Sequence, residues 1–362
     1  MGENEVVDEA LFSVIVCPEC EGTLSLCGAG AECQICGKRC AIKNGILCME
    51  ESEYYWGEVT QEEMRAATEA AATEGVEKAV DALADKYPFI KDYALGLNRA
   101  DWRVNLPAHN RGRALDIGSG WGTIPFLLCE DYDEVWSCEY VKERIEWQNV
   151  RRAEENRHNL RLVQASLCRL PFKDDSFDLI SLNGVLEWMG LADMRDSPRN
   201  VQLSVLRECH KKLRRGGCLY IGIENRIGWN IFMGHVDHSG LRFTSLMPRW
   251  MASAWLKIAK RDVYRTRRAF ASYRTYTYSP PGYTKLLRQA GFDNVEIYWV
   301  FPGYNEPLTS GRLSDNRSII EYIRSKPGRR LRRKLVMGVV KALCHVGFQR
   351  LCAPYLLIYS SK

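Results

Sequence analysis

Residues 115–122 read Leu-Asp-Ile-Gly-Ser-Gly-Trp-Gly, and the fold class follows from this stretch and its neighbours. The apolar residues that lead into it predict a strand over 114–117, and a helix is predicted over 123–130 directly after it. Glycines between a strand and a helix let the backbone turn tightly and let a ligand approach the peptide planes. Glu139 ends the next predicted strand, 21 positions after Gly118, and an acid there is suited to bind both hydroxyls of a ribose. The sequence therefore predicts a nucleotide-binding loop.

Strands and helices alternate along the chain around this loop. Further helices are predicted over 142–155, 201–213 and 281–290. Besides 114–117, strands are predicted over 134–139, 160–164, 177–182, 218–223, 295–300 and 354–359. This alternation predicts an α/β protein with a seven-stranded, Rossmann-like parallel sheet.

Two Cys-x-x-Cys pairs near the start of the chain predict a metal site. Cys17-Pro-Glu-Cys20 and Cys33-Gln-Ile-Cys36 have a spacing that can place four thiolates around one Zn²⁺. Because four cysteine ligands leave no open position, the predicted zinc is structural rather than catalytic. Residues 11–50 are thus expected to form a zinc ribbon. Three other cysteines of this segment are expected to be small buried residues: Cys27, Cys40 and Cys48.

Composition and charge exclude several classes of protein. With 46% hydrophobic and 26% charged residues, the 362-residue chain has the composition of a soluble protein of two or three units. An apolar run of about 18 residues is absent and the first ten residues are acidic, so neither a membrane span nor a secretory signal is predicted. A cytoplasmic protein is expected. The net charge of +5 is mild, but basic stretches at 257–274 and 324–334 leave contact with an anionic membrane or RNA open.

The glycine loop resembles that of class I S-adenosyl-L-methionine (SAM)-dependent methyltransferases. Asp116 precedes the first glycine, and the glycines do not fit the Gly-x-Gly-x-x-Gly spacing of nicotinamide-binding proteins. Residues 170–178, Leu-Pro-Phe-Lys-Asp-Asp-Ser-Phe-Asp, resemble the family's entry into its fourth strand. Residues 182–188, Leu-Asn-Gly-Val-Leu-Glu-Trp, resemble the segment after that strand. The resemblance covers about residues 110–225 and the final strand pair.

This resemblance implies SAM as cofactor and a methyltransferase domain over 106–362. Insertions are expected at 225–278 and 303–350, and 51–105 is expected to be a helical linker and lead-in. The implied cofactor-binding residues are Asp116, Gly118, Ser119, Gly120, Gly122, Glu139, Tyr140, Ser166, Leu167 and Asn183.

The family pattern also implies individual roles for these residues. The glycines would line the methionine side of SAM, with Asp116 holding the loop, while Glu139 clamps the ribose and Tyr140 covers the adenine. Ser166 stands where many relatives have an acid, so the Leu167 backbone would supply the adenine contact instead. Asn183 would lie beside the sulfonium.

The end of the fifth predicted strand carries an unusual density of polar residues, and the acceptor pocket of this fold opens there. Glu224, His235 and His238 are predicted to be catalytic, because a histidine with a near-neutral pKa can serve as general base for a hydroxyl. The predicted substrate-binding residues are Glu187, Trp188, Asn225 and Arg226. A polar, hydrogen-bonded loop is the alternative interpretation, in which Glu187 and Trp188 cap and pack the next helix. A metal site formed by His235, Asp237 and His238 is a further alternative.

The methyl acceptor is harder to infer. No Asn-Pro-Pro-aromatic loop follows the fourth strand, which counts against methylation of planar amino nitrogens. Residues 222–240 and 301–307 resemble methyltransferases of bacterial surface-glycan and secondary biosynthetic pathways. That similarity favours O-methylation of a sugar, glycan or other small-molecule hydroxyl. An RNA methyltransferase and a non-catalytic SAM-fold scaffold are the alternatives.

Two further segments suggest partners. Trp250, Met251, Trp255 and Ile258, with basic residues around them, predict an amphipathic helix that serves either as core or lid, or as a contact with an anionic membrane and a lipid-linked substrate. The ribbon, with its Lys-Asn-Gly-Ile ending at 43–46, resembles small zinc-ribbon proteins that activate separate methyltransferases. Its fusion suggests a similar role within one chain.

Overall fold

The computed structural model describes residues 9–259, 272–315 and 349–362, together with residues 317–319, 321, 338, 342 and 347. Within these residues all strands belong to one twelve-stranded sheet. The strands are β1 (Leu24–Cys27), β2 (Gly30–Cys33), β3 (Arg39–Lys43), β4 (Ile46–Cys48), β5 (Arg113–Ile117), β6 (Glu134–Glu139), β7 (Leu160–Gln164), β8 (Phe177–Asn183), β9 (Leu213–Glu224), β10 (Asn294–Gly303), β11 (Glu306–Arg312) and β12 (Tyr355–Ser361).

Helices cover both faces of this sheet. The α-helices of the described residues are α1 (Gln61–Glu74), α2 (Val76–Ala84), α3 (Ile90–Leu95), α4 (Thr123–Leu128), α5 (Lys142–Glu154), α6 (Met189–Ala192), α7 (Pro198–Lys212), α8 (Trp229–Phe232), α9 (Arg249–Ala259), α10 (Pro280–Ala290) and α11 (Gln349–Cys352). Short 3-10 helices cover Glu9–Ser13, Leu97–Asn105, Leu186–Trp188 and Thr244–Leu246.

The predicted seven strands form the centre of the sheet, in the order β7-β6-β5-β8-β9-β12-β10. β5 pairs in parallel with β6 and β8, and β12 runs in the opposite direction to the other six strands. β5 and β8 lie in the middle and are buried along almost their whole length, which explains why apolar residues predominate in both. Because parallel strands end at the same edge, the residues that follow β5, β6 and β8 are brought together.

The prediction of seven strands in the whole sheet was wrong, because five more strands extend it. β11 adds to one edge by pairing with β10, within a segment that was expected to be an insertion. The other edge is extended by β1–β4, the predicted ribbon. β4 pairs in parallel with β7, with Leu47 opposite Val163. The sequence of the ribbon does not specify which edge strand of the central sheet it pairs with, so the pairing of β4 with β7 was not predicted.

The ribbon also shares a hydrophobic core with the central sheet. Ile15 forms an isolated bridge with Phe172, and the Val16 N–H donates to the Pro171 carbonyl at 3.0 Å. Val14, Ile15 and Leu47 belong to the same buried cluster as residues of β5, β8 and β9. The N-terminal segment is therefore packed against the central sheet and is not an independently tethered domain.

The predicted amphipathic helix corresponds to α9, and its apolar residues are mostly exposed. Ala252 and Leu256 are buried, whereas Trp250 and Ile258 are 75% and 70% exposed. The basic residues at 260–271 and the cluster at 329–334 lie outside the described residues. In the part of the chain that the structure describes, no helix is long and apolar enough to span a bilayer.

Candidate functional site

The glycine loop has a backbone that requires glycine. Gly118, Gly120 and Gly122 have φ values of 67°, 57° and 81°, in the left-handed region that other residues rarely adopt. A Cβ on Gly118 would also lie 2.9 Å from the Val185 methyls, and one on Gly122 would lie 2.7 Å from Cγ of Gln148. The loop therefore fits tightly between β5 and the segment after β8, as its sequence predicts.

Glu139 holds this loop. One carboxylate oxygen accepts from the Gly120 N–H at 2.8 Å, and the other accepts from the Val141 N–H at 2.8 Å. Gln148, on α5, adds a bond from its side-chain amide to the Gly120 carbonyl at 2.8 Å. Each carboxylate oxygen of Glu139 retains a lone pair for a ligand hydroxyl, because an ionised carboxylate offers about four acceptor sites.

Asp116 does not hold the loop, contrary to the expected role. Its carboxylate accepts a hydrogen bond from the Ser181 hydroxyl of β8, and it lies in the wall of a cleft beside the glycines. Burial raises the pKa of Asp116 to about 7. The acid is therefore a buried polar group that faces the cleft rather than a clamp on the turn.

A cleft opens at the ends of β5, β6 and β8. Among the predicted site residues, it is lined by Asp116, Gly118, Ser119, Gly120, Glu139, Tyr140, Leu167, Asn183 and Trp188. Two predicted cofactor residues do not line it. Gly122 precedes the first turn of α4, and the Ser166 hydroxyl accepts from the Cys168 N–H at 3.4 Å.

A strap formed by residues 50–60 supplies one wall of the cleft. The Trp56 ring lies 5.0 Å from the Trp188 ring and 4.7 Å from the Arg144 guanidinium, and the Tyr54 ring lies 5.4 Å from Tyr140. Glu58 of the strap is also held in place, because its carboxylate accepts a hydrogen bond from the Trp121 indole at 3.1 Å.

The strap was not predicted, because 51–105 was expected to be helical, whereas the first α-helix begins only at Gln61. The run Tyr-Tyr-Trp at 54–56 in an otherwise acidic segment was the only available signal.

Arg99 lies in the cleft without a hydrogen-bonding partner for two of its nitrogens. The side chain is 6% exposed, it stacks over Tyr93 at 4.0 Å, and Nε and Nη1 have no acceptor. A buried guanidinium with free donors is costly unless an anion binds it. The lead-in segment contacts both the cleft and the sheet, because Arg99 lines the cleft and Trp102 stacks on Tyr220 of β9 at 3.7 Å.

Three predicted acceptor-site residues converge beside the cleft in what we term the acidic-histidine cluster: Glu187, Glu224 and His238. The His238 Nε2 lies 3.0 Å from a carboxylate oxygen of Glu224 and 3.6 Å from one of Glu187. The Tyr304 hydroxyl donates to the other oxygen of Glu224 at 2.6 Å. The cluster borders the cleft because the His238 ring packs 4.7 Å from that of Trp188, a residue of the cleft wall.

The electrostatics of the acidic-histidine cluster differ from those of a lone histidine. Burial raises the pKa of Glu187 to about 8, and the charge of Glu224 acts in the same direction. Burial lowers the pKa of His238, but the charges of Glu224 and Glu187 outweigh it and raise that pKa to about 9. With only these partners, His238 is protonated at neutral pH, so it does not match the free base with a near-neutral pKa that the sequence suggested.

The other predicted acceptor-site residues have different surroundings. His235 is exposed and does not join the cluster. The Asn225 amide donates to the carbonyls of Leu351 and Ala353, and the Arg226 guanidinium donates to those of Ser245 and Met247. These bonds occupy both side chains in packing the loops around β9.

The alternative metal site at His235, Asp237 and His238 does not form. The Asp237 carboxylate instead accepts from the Ser239 N–H and the Ser245 hydroxyl.

The four predicted zinc ligands converge in the ribbon. The Sγ atoms of Cys17 and Cys36 are 3.6 Å apart, those of Cys20 and Cys33 are 3.5 Å apart, and all four lie within 4.8 Å of one another. Thiolates about 2.3 Å from a tetrahedral Zn²⁺ are separated by roughly 3.8 Å, so the donor set fits this ion. The three other cysteines of the segment stay outside the group, but only Cys40 is buried, whereas Cys27 is exposed and Cys48 is intermediate.

Comparison with known protein families identifies the central part of the chain. Residues 115–221 match the family model described as a methyltransferase domain. The matched segment contains the glycine loop, Glu139 and the residues that follow β8. The chain therefore contains a methyltransferase domain, and the protein is a methyltransferase.

Solved structures show more distant similarity, and no curated protein matches significantly. A SAM-dependent methyltransferase from Thermotoga maritima is 16% identical with a TM-score of 0.42, over 78% of this chain and 97% of that one. A complex of the Trm112 methyltransferase activator with a methyltransferase from Haloferax volcanii is 16% identical with a TM-score of 0.43, and the alignment covers 79% of this chain and 96% of that one.

Phosphoethanolamine N-methyltransferase 2 from Haemonchus contortus gives 16% identity and a TM-score of 0.43. The alignment covers 84% of this chain but only 60% of that enzyme. Similarities at this level do not indicate a substrate.

Proposed function

We propose that the protein transfers a methyl group from SAM to a hydroxyl of a sugar, glycan or other small molecule. The observation that carries this proposal is a cleft lined by the glycine loop and Glu139, with the acidic-histidine cluster packed against Trp188 of its wall. Such an arrangement suits a nucleotide cofactor next to a polar acceptor. In the reaction, the acceptor oxygen forms a bond to the methyl carbon, the carbon–sulfur bond breaks with its electrons on sulfur, and the hydroxyl proton leaves.

The residues of the cleft fit SAM. Glu139 has acceptor capacity for the ribose hydroxyls, and the aromatic rings of Tyr140 and Tyr54 offer a surface for the adenine. Arg99 supplies the cation that the carboxylate of the methionine moiety requires, because its unpaired Nε and Nη1 face a buried site. When bound, SAM supplies the electrophilic methyl, and these side chains bind and orient it.

Arg99→Ala should weaken SAM binding by about tenfold to a hundredfold, since a charge-assisted hydrogen bond contributes about 1.5–3 kcal/mol. Titration calorimetry measures this directly. Arg103→Ala is the matched control, because Arg103 lies on the same 3-10 helix but pairs with Asp131 away from the cleft. Equal affinity in Arg99→Ala and wild type would exclude the carboxylate contact.

The acceptor end favours a neutral hydroxyl compound over RNA. The cluster of Glu187, Glu224 and His238 offers no surplus of positive charge to a phosphate backbone, because its one basic group is paired with Glu224. The polar oxygens of the cluster can instead accept hydrogen bonds from a polyhydroxylated acceptor. Incubation of cell extract with methyl-labelled SAM tests this: label in a glycan, lipid-linked sugar or small-molecule fraction supports the proposal, and label confined to RNA contradicts it.

We further propose that α9 contacts an anionic membrane, where a lipid-linked acceptor would reside. Trp250, Trp255 and Ile258 are exposed on one helix that also carries Lys257, and the sequence that follows is strongly basic. The loop before α9 is bonded to Arg226 at the end of β9, so a membrane-bound α9 would lie close to the acceptor end.

Vesicle binding tests this contact. Replacing both Trp250 and Trp255 with serine should reduce co-sedimentation with phosphatidylserine vesicles severalfold, because the two indoles supply most of the insertable surface. Leu308→Ser is the control, since Leu308 is an exposed apolar residue of β11. Unchanged binding by the double variant, or equal binding to neutral phosphatidylcholine vesicles, would contradict the proposal.

We propose that the ribbon holds a structural Zn²⁺ through Cys17, Cys20, Cys33 and Cys36. Four thiolates complete a tetrahedral shell, so the ion would stabilise the short segment rather than take part in methyl transfer.

A further inference from the structure

The acidic-histidine cluster has the geometry of a second metal site. The donor atoms of Glu187, Glu224 and His238 lie within 4.8 Å of one another, with the histidine nitrogen 3.0 and 3.6 Å from the two carboxylate oxygens. Ligands about 2.1 Å from a common ion are roughly 3.0 Å apart at a right angle and roughly 3.4 Å apart in a tetrahedron. The observed separations therefore match donors that share one ion.

Glu187 gives independent evidence that a ligand is needed here. Its side chain is fully buried, and neither carboxylate oxygen has a hydrogen-bond partner among the described residues. Oε2 of Glu224 and Nε2 of His238 also lack a well-directed hydrogen bond, although they lie close together. A buried carboxyl group without hydrogen-bond partners is energetically costly, and a cation between these atoms would satisfy all three groups at once.

The surroundings keep the three donors in place. The Tyr304 hydroxyl bonds the outer oxygen of Glu224, which fixes the inner one toward His238. The Trp188 ring packs against the imidazole. Second-shell contacts of this kind orient ligands at metal sites.

We propose that Glu187, Glu224 and His238 bind one divalent transition-metal ion, of the Mn²⁺ or Zn²⁺ class. An imidazole together with two carboxylates suits these ions better than Mg²⁺, which prefers oxygen ligands and retains its water. The donor atoms are buried, and the imidazole packs against Trp188 of the cleft wall, so the ion would lie next to the cleft.

The role of this ion rests on the proposed function, whereas its binding does not. An ion at this position would bind the acceptor hydroxyl and lower its pKa, so that the proton passes to solvent before the oxygen takes the methyl group. An octahedral ion with three protein ligands keeps positions for two oxygens of a vicinal diol, which favours a sugar acceptor.

Metal content tests the site in the full chain. After dialysis against Mn²⁺ in the presence of Zn²⁺, mass spectrometry of the elements should give two divalent ions per wild-type chain, one in the ribbon and one in the cluster. Glu187→Gln and His238→Gln should each retain only the ribbon ion. His235→Gln is the matched control, because His235 is exposed and outside the cluster, and it should retain both.

A single ion per wild-type chain, or two in both cluster variants, would overturn the proposed site. SAM calorimetry on the same samples separates this outcome from failure of the proposed function. One ion with normal SAM binding refutes the second metal alone, and two ions without SAM binding refute the function alone.

Discussion

Glu139→Ala should abolish measurable SAM binding and, with it, methyl transfer. The substitution removes two hydrogen bonds to the Gly120 and Val141 N–H groups and leaves these donors without an acceptor, in addition to removing the proposed ribose contact. Losses of about 1.5–3 kcal/mol for each bond to a charged group give a decrease in affinity of at least about a hundredfold. Titration calorimetry with SAM is the measurement.

Glu146→Ala is the control for this variant. Glu146 lies on α5, soon after β6, and its exposed side chain forms only an i,i+4 pair with Lys142. It should bind SAM as wild type does. Wild-type affinity in Glu139→Ala, with an intact fold by circular dichroism, would mean that SAM does not occupy this cleft.

Glu139→Gln distinguishes the two functions of the carboxylate. A glutamine can accept from only one of the two backbone N–H groups, because its amide nitrogen faces the other as a second donor. We therefore expect intermediate affinity, between those of wild type and Glu139→Ala.

The centre of the fold and the cofactor loop could be predicted because their signals are local. Three glycines with positive φ mark the turn, and the acid at the end of β6 is fixed relative to it by the parallel pairing of adjacent strands. The two cysteine pairs are equally local, since each pair lies in one tight turn. Such features depend on residues close in sequence or on one neighbouring strand.

The features that were missed depend on contacts between distant segments. The strap carries no periodic pattern, so nothing in 50–60 alone indicates that Trp56 meets Trp188. Glu187 and His238 follow different strands and meet through a loop whose course is set by the Arg226 bonds. Asp116 was assigned to the loop from family resemblance, but the bonds to the loop come from Glu139.

Cys20→Ser should release zinc, lower Tm and weaken SAM binding together. Zinc–thiolate binding supplies folding free energy to a segment with little core of its own. The ribbon also contributes β4 to the sheet edge at β7 and Ile15 to the shared core. A loss of about 2–3 kcal/mol is expected, which lowers Tm by roughly 3–4 °C for a chain of this size.

Cys27→Ser is the control, because Cys27 is exposed and lies outside the group of four thiols. It should keep its zinc and its Tm. A Cys20→Ser protein with an unchanged melting curve would contradict a structural ion in the ribbon.

The weaker SAM binding expected of Cys20→Ser follows from the connection between the ribbon and the strap. The strap begins just after β4, so a ribbon that loses its metal no longer fixes the start of the segment that carries Tyr54 and Trp56 into the cleft. Trp56→Ala should reproduce the weaker SAM binding with zinc retained and Tm little changed. If Cys20→Ser lowers Tm but leaves SAM affinity intact, the ribbon stabilises the sheet without positioning the cleft wall, and the strap is held by its own contacts, including those of Glu58 with Trp121 and Arg144.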